Sequence, residues 1–305
     1  MSVASPSLRP GSAGFSATDY GLYAVTVLAW GFSWIAMKGQ VATVSPEVSV
    51  FWRFVLAASI MMAWARFRGH HLAFGLQDHM RFAGLGVLLF STNFTLFYYG
   101  AAILPSGLLA VIFSTASIFN LFLGLILFGQ RPSPIALVAG LLGFLGIGLM
   151  FWPKLAGAEF NGEAAIGLAM CVGGTLSFCL GNMLSADTQR RGIGVTPATA
   201  WGMVYGMVFL GLFSALHGQS FSVEWSVHYL GSLIYLAVVA SVIAFASYLT
   251  LLGRIGSARA GYATVMFPVV ALTLSTIFEG YQWTPVAAAG LACVIGGNLM
   301  MLRAR

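Results

Sequence analysis

Residues 102–111 read AILPSGLLAV, and residues 253–262, 151 positions later, read GRIGSARAGY. The first stretch carries no charge. The second carries Arg254 and Arg259, in a chain of which only 7% is charged. Around these two stretches the chain lies over itself without a gap, residues 97–150 on residues 248–301. Ser106 falls on Ser257, Leu121 on Leu272, Gly129 on Gly280, Pro134 on Pro285 and Gly146 on Gly297. The segment FGQRPSP (128–134) falls on EGYQWTP (279–285). Matched Gly, Ser and Pro at loop positions mark a duplicated unit. Arginines at one copy only say that the two copies face different surroundings.

Composition names those surroundings. The chain has 305 residues, is 59% hydrophobic and has a mean hydropathy of +0.90. Soluble domains run near ~45–50% apolar and about 25% charged, so the solvent here is lipid. Ten runs are apolar enough for spanning helices: 20–37, 47–65, 82–100, 107–128, 134–152, 164–183, 197–216, 229–252, 260–278 and 284–302. The predicted fold class is an all-α integral membrane protein of ten transmembrane helices. Residues 1–19, polar and rich in Gly, Ser and Pro, read as a flexible cytoplasmic tail without a signal-peptide pattern.

The net charge is +6, yet the basic residues form no stripe that would bind nucleic acid. With the N-terminus inside, eleven of the 14 Lys/Arg fall on inner segments: Arg9, Arg66, Arg68, Arg81, Arg131, Arg190, Arg191, Arg254, Arg259, Arg303 and Arg305. Lys38 and Lys154 fall outside, and Arg53 lies within the second span. The positive-inside rule then places both termini in the cytoplasm. Residues 20–152 and 164–302 become two five-helix repeats. Five is odd, so the second repeat enters the membrane inverted, and the loop that is outside in one copy is inside in the other. Inverted repeats of this kind recur in secondary transporters, whose halves rock around a site near the midplane.

WGFSWIAMKGQ (30–40) and SPEVSVFWRFVLAA (45–58) resemble the first two helices of EamA-type transporters of the drug/metabolite transporter superfamily. FYYGAAILPSGLLAVIFSTASIFNLFLGLILFGQRPSP (97–134) and ASYLTLLGRIGSARAGYATVMFPVVALTLSTIFEG (246–280) resemble the two copies of that family's helical signature. Among its members the chain is similar to the YddG group of aromatic amino-acid exporters. Two positions depart from the pattern. Gln130 stands where many members have an acidic residue, and Ser117, opposite Pro268, stands where many have proline.

The resemblance implies a secondary exporter of small metabolites, amino acids foremost, in the bacterial inner membrane. Its partners are a small-molecule substrate and the lipid bilayer. No cofactor and no metal is expected. Cys171, Cys179 and Cys293 lie in apolar runs without metal-site spacing and read as small buried hydrophobes. A multidrug exporter of organic cations is the second reading, since an aromatic cavity suits cations too. A sugar-phosphate or nucleotide-sugar translocator wants two or more cavity cations, and only Arg53 lies within a span. A membrane-embedded enzyme wants a carboxylate pair, a Ser/His pair or a metal cluster, and no span offers one.

Arg53, about 9 Å along its helix from Glu47, is a candidate grip for a substrate carboxylate, or a snorkelling side chain. Glu279, closing the ninth span, is a candidate coupling residue. Trp30, Ser33, Trp34 and Met37 share one helix face and suit a cavity for an amphipathic solute. Asn93 and Phe97 on the third span, Ser177 and Asn182 on the sixth, and Ser241, Phe245 and Tyr248 on the eighth make comparable stripes. Each also has the plainer reading of interhelical glue. Pro268 interrupts the ninth helix and frees the carbonyl of Thr264, making a site wall, a hinge or a packing kink. Gly140, Gly143, Gly146, Gly148, Gly290, Gly296 and Gly297 read as small faces for close helix packing.

Overall fold

A computed structural model describes residues 16–41, 44–129, 133–155, 162–248, 250–251 and 262–303. All secondary structure among them is helical. Helices α1 (Ala17–Lys38), α2 (Pro46–Phe67) and α3 (Leu76–Ile103) are followed by α4 (106–128), α5 (Pro134–Leu155) and α6 (Gly162–Arg190). Then come α7 (Val195–Leu216), α8 (Val227–Tyr248), α9 (Tyr262–Phe278) and α10 (Pro285–Arg303). Seven of these, α1, α2, α3, α5, α6, α7 and α8, are long and apolar enough to cross a membrane. Shorter apolar stretches lie in the other three: Ser106–Asn120, Met266–Phe278 and Pro285–Met300. The stretch GRIGSARAGY up to Gly261, the tail up to residue 15, and Gln130 lie outside the described residues, as do the side chains of Ser117 and Thr264.

Local chemistry sets the helix ends. Ser16 caps α1 in a reciprocal capping box with Asp19, and Pro46 opens α2, where its missing N–H costs nothing. Of the five glycines with a left-handed φ among the described residues, four come as two pairs. Gly69 (φ 70°) and Gly218 (φ 66°) end α2 and α7, each helix 22 residues long. Both ends close with the same bonds: Gly69 N–H to Arg66 C=O and His70 N–H to Ala65 C=O, Gly218 N–H to Ala215 C=O and Gln219 N–H to Ser214 C=O. Gly129 (φ 64°) and Gly280 (φ 65°), 151 residues apart, follow α4 and α9. The left-handed φ at each is the conformation glycine adopts without a Cβ clash.

α3 begins at Leu76 and α6 runs on to Arg190, beyond the predicted 82 and 183. The added turns, LQDHMR and LSADTQR, are mostly polar, so hydropathy alone ends the span before the helix ends. Arg81 and Asp187 on these turns pair with each other. α4 is interrupted at Thr115, whose hydroxyl donates to the Ile112 carbonyl at 2.6 Å.

The packing follows the duplication. α2 lies on α7, α4 on α9 and α5 on α10; α1 packs on α8 and α9, and α6 on α3 and α4. Exchanging α1–α5 for α6–α10 turns this set of neighbours into itself. The large buried cluster includes Trp34, Phe54, Phe90, Phe97 and Tyr98 at the centre, while Leu28, Leu141 and Leu212 face outward.

Candidate functional site

The site forms where two helices lose their α register. α3 is π-helical over Leu88–Thr92, and α8 over Tyr235–Ile243. Shifted by 151, residues 88–92 fall on 239–243, inside the second segment. Such turns leave carbonyls without an i+4 partner and recur at functional sites. Serines satisfy some of them. Ser91 Oγ donates to Gly86 O at 2.8 Å and Ser241 Oγ to Leu236 O at 2.9 Å, each five residues back. Two further carbonyls are met across helix interfaces. Trp30 Nε1 of α1 donates to Ala240 O at 2.9 Å, and Ser177 Oγ of α6 donates to Leu88 O at 2.8 Å.

Aromatic rings surround these segments. Trp30 touches Phe245 (5.4 Å between centroids), Tyr248 (5.3 Å) and Phe267 of α9 (5.4 Å). Trp34, one turn on, meets Phe97 at 5.2 Å and Phe113 of α4 at 5.5 Å, and Phe113 meets Phe178 of α6 at 4.7 Å. Phe90 extends the Trp30 set toward α2, meeting Phe245 at 6.4 Å and Phe54 at 5.6 Å. Edge-on and tilted pairs of this kind make a firm apolar wall. Within it, Trp34 Nε1 and Asn93 Oδ1 are buried without hydrogen-bond partners, while Asn93 Nδ2 donates to Leu89 O at 3.3 Å.

Arg53 reaches this wall from α2. It is 3% exposed. Its Nε donates to Ser241 Oγ at 3.1 Å, and its guanidinium carbon lies 4.3 Å from the Phe94 ring centroid. Tyr98 lies beside the guanidinium, and its hydroxyl donates to Gln40 Oε1 at 2.6 Å. The ion pairs among the described residues are Lys38–Glu279, Arg81–Asp187 and Arg191–Asp187, and none includes Arg53. Arg53 Nη1 is buried and unpartnered.

Trp30, Trp34, Phe97 and Phe245 thus pack in one apolar cluster, with Tyr248 against Trp30. Arg53 and Ser241 bond each other, and Asn93 and Ser177 bond carbonyls of α3. Ser33 sits on the same face of α1 but spends its hydroxyl on Trp30 O at 2.7 Å. Asn182 is partly exposed, five residues farther along α6 than Ser177, and Pro268 is buried inside α9. Glu279 is elsewhere. Its Oε2 accepts the N–H of Ser106 at 2.9 Å and so caps α4, and its Oε1 lies 3.9 Å from Lys38 Nζ. Lys38 also donates to Ala101 O at 2.7 Å and Leu104 O at 3.1 Å. Sequence reasoning did not single out Ser91, Phe94, Tyr98 and Phe113. Ser91 carried a readable signal: it stands 150 residues before Ser241, in the matching helix of the other repeat.

The profile of the EamA-like transporter family matches residues 20–152 and again residues 165–303. The chain is 26% identical over 281 residues to the uncharacterized transporter YvbV of Bacillus subtilis (strain 168), covering 90% of this chain and 88% of that protein. It is 24% identical over 275 residues to the uncharacterized inner membrane transporter YedA of Escherichia coli (strain K12), covering 90% and 87%. It is 22% identical over 302 residues to a probable amino-acid metabolite efflux pump of Escherichia coli (strain K12), covering 95% and 97%. Long apolar helices and this kinship make it a multi-pass inner-membrane protein, and the chain belongs to the EamA-like transporter family.

Proposed function

We propose that this chain is a secondary exporter of small amphipathic metabolites, amino acids foremost and aromatic ones among them. The observation that carries the reading is the aromatic wall between α1, α3, α4, α6, α8 and α9. It is broad and apolar, and it holds a few unpaired polar atoms that can orient a solute. Similarity to a probable amino-acid metabolite efflux pump supports the substrate class.

In this reading all ten helices span, in two inverted five-helix repeats with both termini cytoplasmic. The exchange symmetry of the packing, the paired glycine ends and the matched π segments support it. Alternating access rocks one repeat against the other around the wall, with the π segments and Pro268 as the points of give. Among the residues of the site, Trp30, Trp34, Asn93, Phe97, Phe245 and Tyr248 face the solute. Glu279 and Lys38 tie the end of α9 to α1 and α4 in the conformation described. The sequence has no ATP-binding motif, so the driving force is an ion gradient or the solute's own.

The test is efflux from cells expressing the chain and loaded with dipeptides that release single amino acids. Faster efflux of Trp, Phe, Met or Thr, lost on Trp34→Ala, is the expected result. Unchanged efflux of every amino acid, with the protein shown to be in the membrane, refutes the reading.

A further inference from the structure

We infer that Arg53 forms a recognition site for a single carboxylate, so that the exported solute is a monocarboxylate or zwitterion and never a simple organic cation. This deepens the function proposed above and rests on it for the transport step, though not for binding.

A guanidinium on a membrane-spanning helix is costly to bury, and one that stays buried is ordinarily paired with an anion or with backbone carbonyls. Arg53 has neither among the described partners. Ser241 takes its Nε, Phe94 takes one face, Tyr98 lies beside it, and Nη1 has no acceptor. The nearest acidic residue on its own helix does not serve it: Glu47 is 2% exposed and accepts the Tyr99 hydroxyl at 2.9 Å. The Nη1 group of a rigid, fully charged fork is therefore held ready in a buried, aromatic setting. A carboxylate is the group whose geometry and charge match it.

The repeats bring one such cation to the site. α2 and α7 are equivalent helices of equal length, and Arg53 is the eighth residue of the first. The eighth residue of the second is Gly202, where even a Cβ would come 2.8 Å from Phe90 Cε2. The duplication thus supplies one cation and not a symmetric pair. A dianionic phosphate would want at least two. An organic cation would be repelled by Arg53, whatever the attraction of the aromatic rings.

The experiment is isothermal titration of the full-length protein in nanodiscs with four ligands: 3-phenylpropionate, 3-phenylpropanamide, L-phenylalanine and L-phenylalaninamide. In the native protein each acid binds at least about tenfold more tightly than its amide, the loss expected for a charge-assisted hydrogen bond. Arg53→Gln brings acid and amide together, and Arg53→Lys restores part of the difference. Equal affinity for acid and amide in the native protein overturns the inference, as does failure of all four to bind. These comparisons need no variant, so a poorly folding Arg53→Gln leaves the test intact. Counterflow of labelled phenylalanine in proteoliposomes separates the two readings. Carboxylate-selective binding without counterflow refutes the exporter and keeps the site. Counterflow of the amide as fast as of the acid keeps the exporter and refutes the site.

Discussion

Adding one methyl group at Gly146 should cost about 2 kcal/mol relative to adding it at Gly148, two residues away on the same helix. A Cβ built on Gly146 lies 2.5 Å from Gly290 O, 2.7 Å from Val294 Cγ2 and 2.8 Å from Val294 N. Two of those three atoms are backbone, so no rotamer change relieves the clash. A methyl carbon and a carbonyl oxygen rest near ~3.3 Å, so α5 and α10 must part locally by about 0.8 Å. A gap of that size forfeits roughly a quarter to a half of each dispersion contact along the seam, and overpacking of this kind costs about 1–3 kcal/mol. Gly148 has nothing within 4 Å and faces outward. Both substitutions share the backbone gain of alanine over glycine, which cancels in the difference. The assay is unfolding in mixed micelles, followed by thiol-dye labelling of Cys171 and Cys179, both fully buried. Equal stability of Gly146→Ala and Gly148→Ala, within about 0.5 kcal/mol, would refute the close seam between α5 and α10.

Three further outcomes are expected. Ser91→Ala removes one side-chain hydrogen bond within the membrane and should cost about 0.6 kcal/mol. Ser241→Ala also strips Arg53 Nε of its acceptor and should cost roughly 1.5–3 kcal/mol more; equal losses in the same unfolding assay would remove the coupling between Arg53 and the π segment. Glu279→Ala leaves the Ser106 N–H uncapped and should cost about 0.5–2 kcal/mol, whereas Glu279→Gln keeps an acceptor and most of the stability. A Gln variant as unstable as the Ala variant would mean that the charge beside Lys38, not the cap, does the holding. Fluorescent-protein fusions at either terminus should be bright and alkaline-phosphatase fusions inactive; active phosphatase at one end defeats the both-inside topology.

The duplication was legible because its marks are residues with narrow conformational uses. Gly129 and Gly280 align in sequence and share a left-handed φ in the structure, and a position that needs such a φ admits little besides glycine. The membrane setting was legible for a bulk reason: a chain with so few charges cannot solvate twenty-residue apolar helices in water. The stripe at Trp30 and Trp34 was legible from helical spacing, since both rings must leave the helix on one side. Ser33 shows the limit of spacing. It shares that side and yet bonds to its own backbone, because a hydroxyl reaches the carbonyl three residues back.

Other features existed only once the helices were packed. A π turn and an α turn have the same hydropathy, so nothing in LLFST or YLAVVASVI announces a change of register. Those turns persist because Ser91, Ser241, Trp30 and Ser177 satisfy the freed carbonyls, two of them from other helices. Glu279 looked like a charge at the end of a span, and its partner Ser106 stands 173 residues away. Sequence alone determined the solvent, the helices and the duplication, because hydropathy, periodicity and backbone freedom are properties of neighbouring residues. Tertiary structure alone decided which charge is paired and which is not. Pairing depends on distances between helices remote in the chain, and that is what left Arg53 buried with an N–H to offer and sent Glu279 to cap a helix.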